Sequence, residues 1–140
     1  MNISATVSVT GPLFTNGSKK VHEVAQGVIS DLVELGTERL DQMLRPRPAG
    51  VYLSVQEAQK GKASTGHYRR NIHPMVKDLY GRIDDGGVVY GPWLEGVSSR
   101  NQTTRFKGYA SFRRTAQFMR KQVRAIMQRR MGRAIQELGG

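Results

Sequence analysis

The side chains in this 140-residue chain with obvious chemical potential are three histidines, one pair of adjacent aspartates and one pair of adjacent serines. His22, His67 and His73 share no i,i+4 spacing and have no cysteine among them, whereas a zinc site needs more ligands, more closely spaced. Asp84 and Asp85 are the residue types that hold a divalent metal in a nuclease, but Asp84-Asp85-Gly86-Gly87 is equally ordinary turn chemistry. Ser98 and Ser99 lack a Gly-x-Ser-x-Gly elbow, and no Gly-Lys-Ser or Gly-Lys-Thr closes a phosphate loop. We therefore expect no catalytic residue, no metal and no cofactor, and read the chain as non-enzymatic.

Charge is the stronger signal. The formal net charge is +11, with 22 Lys and Arg against 11 Asp and Glu. From Gly96 onward there are eleven Lys or Arg and a single carboxylate, Glu137, so +10 of the total lies in the last 45 residues. Arg113, Arg120 and Arg124 fall on one flank of a predicted helix, Arg114 and Lys121 make a second row, and Arg129, Arg130 and Arg133 extend the charge further. Such rows suit phosphate neutralisation on DNA or RNA, a protein–protein contact, or a solvated face that raises solubility.

Ahead of that helix, Tyr90-Gly91-Pro92-Trp93-Leu94-Glu95-Gly96 holds the one tryptophan. Trp93 and Leu94 read as core anchors, since a lone Trp makes a poor base-stacking surface. Glu95 is the last carboxylate before the basic run and is expected to pair with an arginine, in this chain or a neighbouring one. The run from Ser98 through Ser99 and Arg100 to Arg105 reads as a flexible polar loop suited to contacting a neighbour.

The elements that must carry these residues follow from periodicity. Ile3, Ala5, Val7 and Val9 alternate with polar residues, predicting a half-buried strand. Val21, Val24, Val28, Leu32, Leu35 and Met43 have helical spacing, with Ser18 as N-cap and Pro46 as stop, predicting a helix over residues 19–44. Short strands are predicted at Val51–Val55, Tyr68–Ile72 and Val88–Tyr90, with another within Met75–Ile83. Phe112, Ala116, Met119, Val123, Met127, Met131, Ile135 and Leu138 step by three or four residues, predicting a helix over 110–138 with one drifting apolar stripe. The expected architecture is α+β, a small antiparallel sheet with one N-terminal and one long C-terminal helix packed on it. We expect one domain over 1–140, with residues 1–18 forming its leading strand and loop. The absence of cysteine suits a reducing compartment, and neither a secretory leader nor a run of 18 apolar residues is evident.

Three blocks carry a resemblance to a known family. Thr65-Gly66-His67-Tyr68-Arg69-Arg70-Asn71-Ile72 resembles the Thr-Gly-x-Leu-Arg-x-Ser-Ile segment of the phage neck proteins, the tail-completion, head–tail connector and tail-terminator-like family of long-tailed bacteriophages. Val89 to Gly96 is similar to that family's Tyr-Ala-x-x-Val-Glu-x-Gly-Thr block, and the stretch from Gly87 to Arg114 looks like the actinobacteriophage version. Arg105-Phe106-Lys107-Gly108-Tyr109 stands where the family has Arg-Pro-Phe, without the proline, and Tyr68 replaces the usual leucine. The resemblance implies a structural virion protein, made in the bacterial host cytoplasm, that forms a hexameric ring in the phage neck. That ring would join or terminate the tail tube on the portal side. On that reading Trp93, Leu94, Glu95, Ser98, Ser99, Arg100 and Arg105 contact neighbouring subunits, portal-side proteins or tail-tube proteins, with no membrane involved. Arg113, Arg120 and Arg124 would line an interface or touch genomic DNA in the lumen. The alternative is a basic nucleic-acid-binding protein that uses the C-terminal helix.

Overall fold

A computed structural model describes residues 2–11, 18–45 and 67–139. Its elements are β1 (Ser4–Ser8), α1 (Lys19–Met43), the single turn α2 (His67–Arg70), β2 (His73–Lys77) and β3 (Tyr80–Asp84). Two short helices, α3 (Gly91–Glu95) and α4 (Arg100–Thr103), precede the long α5 (Ser111–Gly139). The class is α+β, as the alternation of periods predicts.

β3 is the central strand of a three-stranded antiparallel sheet with order β1-β3-β2. Ala5 faces Ile83 and Val7 faces Gly81 across β1 and β3, so the period-2 apolar residues of both strands share one face. Gly81 lies directly under α1: a Cβ there would meet Val33 Cγ2 at 2.5 Å and Ile29 Cγ2 at 2.9 Å, so a larger residue would lift the helix off the sheet. Ser18 Oγ accepts the Val21 N–H (3.2 Å) and starts α1 as expected. Val28, Ile29, Leu32, Val33 and Leu40 of α1 close over Ile3, Ala5 and Ile83 to form the core.

α5 lies antiparallel to α1, and cross-links between them run in opposite sequence order along both helices. Lys20 pairs with Glu137, Asp31 with Arg130, the Arg39 guanidinium sits 4.6 Å from the Phe118 ring centre, and the Thr115 hydroxyl donates to Met43 Sδ (3.7 Å). Between them Phe112, Met119 and Ile126 are buried against the core.

Four expectations need correction or qualification. Tyr68–Ile72 is not a strand; its first part is the helical turn α2, fixed to α1 by a bidentate pair from Arg69 to Asp41 (2.6 and 2.9 Å). Val88–Tyr90 forms a turn that starts α3, because Gly91-Pro92 supplies a helix N-terminus rather than a strand continuation. Met75–Ile83 is two strands of one hairpin, reversed at Asp78, whose φ of 51° a short polar residue tolerates. The strand predicted at Val51–Val55 lies outside the described residues.

The apolar stripe of α5 also departs from expectation. Phe112 and Met119 face inward, but Met127, Met131 and Ile135 are 38%, 50% and 67% exposed, and Ile126, Arg130 and Ala134 take the inward positions instead. The cause is geometric: repeated steps of four residues overshoot the ~3.6-residue turn, so the stripe winds about 40° around the helix at each step.

Asp85 locks the end of the sheet. Its carboxylate is fully buried and accepts from the Ile3 N–H (3.1 Å), the Gly87 N–H (3.0 Å) and the Tyr68 hydroxyl (3.0 Å), while its own N–H donates to Ile3 O (3.0 Å). Burial, then the neighbouring Asp85 carboxylate, push the Tyr68 phenol well above its usual pKa, so it stays a donor. Both Asp85 oxygens are thus occupied by the fold itself. Asp85→Ala strands these donors and should cost about 3 kcal/mol or more in a urea titration, against roughly 1 kcal/mol for Tyr68→Phe.

Candidate nucleic-acid interface

The basic helix is positioned by what happens just before it. Ala110 precedes α5 with φ of 52°, in the left-handed region, and its methyl group cannot cap the exposed N–H groups of the first turn. Glu95 does so from α3. Its carboxylate accepts the Phe112 N–H at 3.0 Å and the Arg113 N–H at 2.8 Å. The negative charge also meets the positive end of the helix dipole.

Two backbone bonds hold Glu95 there, Tyr109 N–H to Leu94 O (2.7 Å) and Ala110 N–H to Glu95 O (3.2 Å). They require the chains at Gly96 and Gly108 to pass with almost no gap. Both glycines have left-handed φ, 99° and 91°, and a Cβ on either would strike the other strand's backbone.

The segment between those glycines is folded rather than free. Asn101 is its hub: buried, it donates from Nδ2 to Trp93 O (3.0 Å) and Phe106 O (3.1 Å), and its Oδ1 accepts the Ser98 N–H (3.0 Å). Lys107 Nζ closes the turn on Asn101 O (2.8 Å). The Trp93 ring packs on Phe106, with centres 4.6 Å apart, and Leu94 lies against the main core. Trp93, Leu94 and Glu95 are therefore spent on internal contacts, while the side chains of Ser99, Arg100 and Arg105 are exposed. Glu95 is expected to pair with an arginine of this chain or of a neighbouring one; within this chain its carboxylate takes the backbone N–H groups of Phe112 and Arg113 and, among the described residues, makes no ion pair.

From this start α5 presents Arg113, Arg114, Arg120, Lys121 and Arg124 to solvent, with Gln117 among them. These positions lie within about a third of the helix circumference and along ~16 Å of its length. None of the five cations makes an ion pair among the described residues. The row containing Arg113, Arg120 and Arg124 and the row containing Arg114 and Lys121 thus merge into one strip.

Arg130 does not belong with them. It turns inward and forms a two-pronged pair with Asp31 (2.8 and 2.7 Å) on α1. The two residues are 99 positions apart, so the local sequence of α5 shows no carboxylate for Arg130. The hydrogen bond from Arg130 holds the Asp31 pKa below its ordinary 3.8, against the opposing effect of partial burial. Asp41 is held low in the same way by Arg69. Among the described residues no group of three or more His, Asp or Glu is placed to hold a metal ion.

No family model matches the chain, and no solved structure matches it. Over 52 residues the chain is 48% identical to a protein of Prochlorococcus marinus (strain MIT 9313) described as a probable transcriptional regulatory protein. That stretch is 35% of this chain and 21% of the relative, so the match spans about a fifth of the relative's length. This finding overturns the reading as a phage neck protein: the relative is a regulatory protein of a bacterium rather than a head–tail connector. The tail-assembly role and the virion location fall with it.

Two outcomes test the positioning of the helix. Glu95→Ala should lower stability by about 1–2 kcal/mol and fray the first turn of α5, seen as faster amide exchange at residues 111–114. The carboxylates of Asp31 and Asp41 titrate lower in the folded chain than in the unfolded one. Their contribution is therefore present above about pH 4 and lost as pH falls through their folded values. Thermal midpoints should drop below that pH, and Asp31→Asn should make the drop shallower.

Proposed function

We propose that this chain is a nucleic-acid-binding module that lays the outer face of α5 along a phosphate backbone. The observation that carries the reading is the strip of Arg113, Arg114, Arg120, Lys121 and Arg124, exposed and without carboxylate partners among the described residues. A solvated face that served solubility alone would gain from mixed signs, yet α5 holds no acidic residue before Glu137. Phosphates supply the charge that the strip lacks, and release of their counterions drives association. The guanidiniums bind phosphate oxygens in pairs, which orients the helix as well as attracting it.

The helix is held for this role by its other face. Phe112, Met119 and Ile126 fix it to α1, and the Glu95 cap rigidifies the turn that carries Arg113 and Arg114. Binding then needs no reordering of the backbone. The name of the bacterial relative, a probable transcriptional regulatory protein, agrees with duplex DNA as the partner. Duplex DNA also offers closely spaced charges over the length of the strip. The role is binding without catalysis.

Fluorescence anisotropy with a labelled duplex across a salt series tests the reading. Five phosphate contacts predict a log–log slope of affinity on salt of about −4 to −5. The triple substitution Arg120→Ala, Lys121→Ala, Arg124→Ala should cut that slope by about 2–3 and weaken binding for any sequence, with unchanged helix content. No binding at low salt, or a slope indifferent to the substitutions, would refute it.

A further inference from the structure

Beyond Arg124 the outer face of α5 changes character. Met127, Met131 and Ile135 are exposed there, and they border a groove of about 650 Å³ whose other wall is Val9, Val21 and Val24. We infer that this end of the molecule is a self-association surface on which a second copy of the chain docks about a twofold axis. The inference does not depend on the nucleic-acid reading.

Two observations point to a second copy. The first is shape. One contiguous patch holds both a ridge, Met131 and Ile135, and the apolar groove beside it. In a twofold contact the ridge of each copy enters the groove of the other, because residue i meets j while j meets i. A helix laid into an apolar groove is a common way to bury such a stripe.

The second is charge. Two copies of a +11 chain repel each other, so they can approach only where the local charge is low. Lys19 and Arg129 leave this end an excess of two cations, against five unmatched ones in the strip, because Lys20, Arg130 and Arg133 are matched by Glu23, Asp31 and Glu137. Four of these six are already joined in the pairs Lys20–Glu137 and Asp31–Arg130. The remaining two, Glu23 and Arg133, give each copy one charge of either sign at the rim, which a twofold operation can pair across the contact. The 113–124 strip has no such balance. The lower excess of charge makes this end a poorer seat for a nucleic acid than the strip.

Sedimentation of the full chain without nucleic acid, at high salt and over a wide concentration range, decides the matter. A monomer–dimer equilibrium is expected, undiminished by salt. Met131→Glu and Ile135→Glu, both at exposed positions, should each weaken it by about tenfold or more while leaving the circular dichroism unchanged. Arg120→Ala, in the strip, should leave the dimer intact. A chain that stays monomeric throughout, a dimer indifferent to both glutamates, or one dissolved by salt would overturn the inference. So would a monomer that takes up an apolar dye lost in Met131→Glu, which would make the groove a small-molecule site. Salt-dependent DNA binding measured on the same variants reads the other proposal separately.

Discussion

A helix whose first turns carry Arg113 and Arg114 starts against its own dipole, and the Glu95 carboxylate is what makes that start tenable. The residue entering the helix cannot cap it, and α5 brings no acidic residue of its own until Glu137. The cap must come from elsewhere in the chain. The crossing at Gly96 and Gly108, the two backbone bonds to Leu94 and Glu95, and the Asn101 hub all serve to hold one carboxylate against two N–H groups. Remove the closeness of that crossing and the charged strip loses its fixed origin.

The second constraint is that so basic a helix must be held by little apolar surface. α5 solves this by using different residues for different jobs along its length. Its first half turns Phe112 and Met119 inward and its cations outward; further on, Arg130 turns inward to meet Asp31. Partly buried pairs of this kind contribute less to stability than to register. Here three links spaced along the helices, at 20–137, 31–130 and 39–118, leave α5 one alignment on α1.

Much of this was legible in the sequence, and the failures have physical causes. The Ser18 cap, the extent of both long helices and the inward alternation of β1 follow from local pattern, and the structure agrees. The misreading of Tyr68–Ile72 arose because five residues of alternation are too few to separate a strand from a single helical turn. What fixes that segment is tertiary, the reach of Tyr68 to Asp85 and of Arg69 to Asp41. The drifting stripe on α5 was visible, but not that its far half would leave the core. In the candidate site the cations could be read from spacing, whereas Glu95, Asn101 and Asp31 owe their roles to contacts made across distant stretches of chain. Asn101 gave no local signal at all, sitting among Ser, Gln and Thr in a polar run.

The antiparallel pairing of α1 with α5 has a consequence for how the chain comes into being. β1, near the start, pairs with β3 some 76 residues later, and Lys20 waits for Glu137, 117 positions on. A ribosome therefore releases the core-closing helix only after the elements it covers, and until then the apolar face of α1 lacks the cover that Phe112, Met119 and Ile126 supply. Contacts of such long sequence separation also slow folding in the test tube. The cationic strip, emerging after β1, α1 and β3, reaches its partners only when the core beneath it can close.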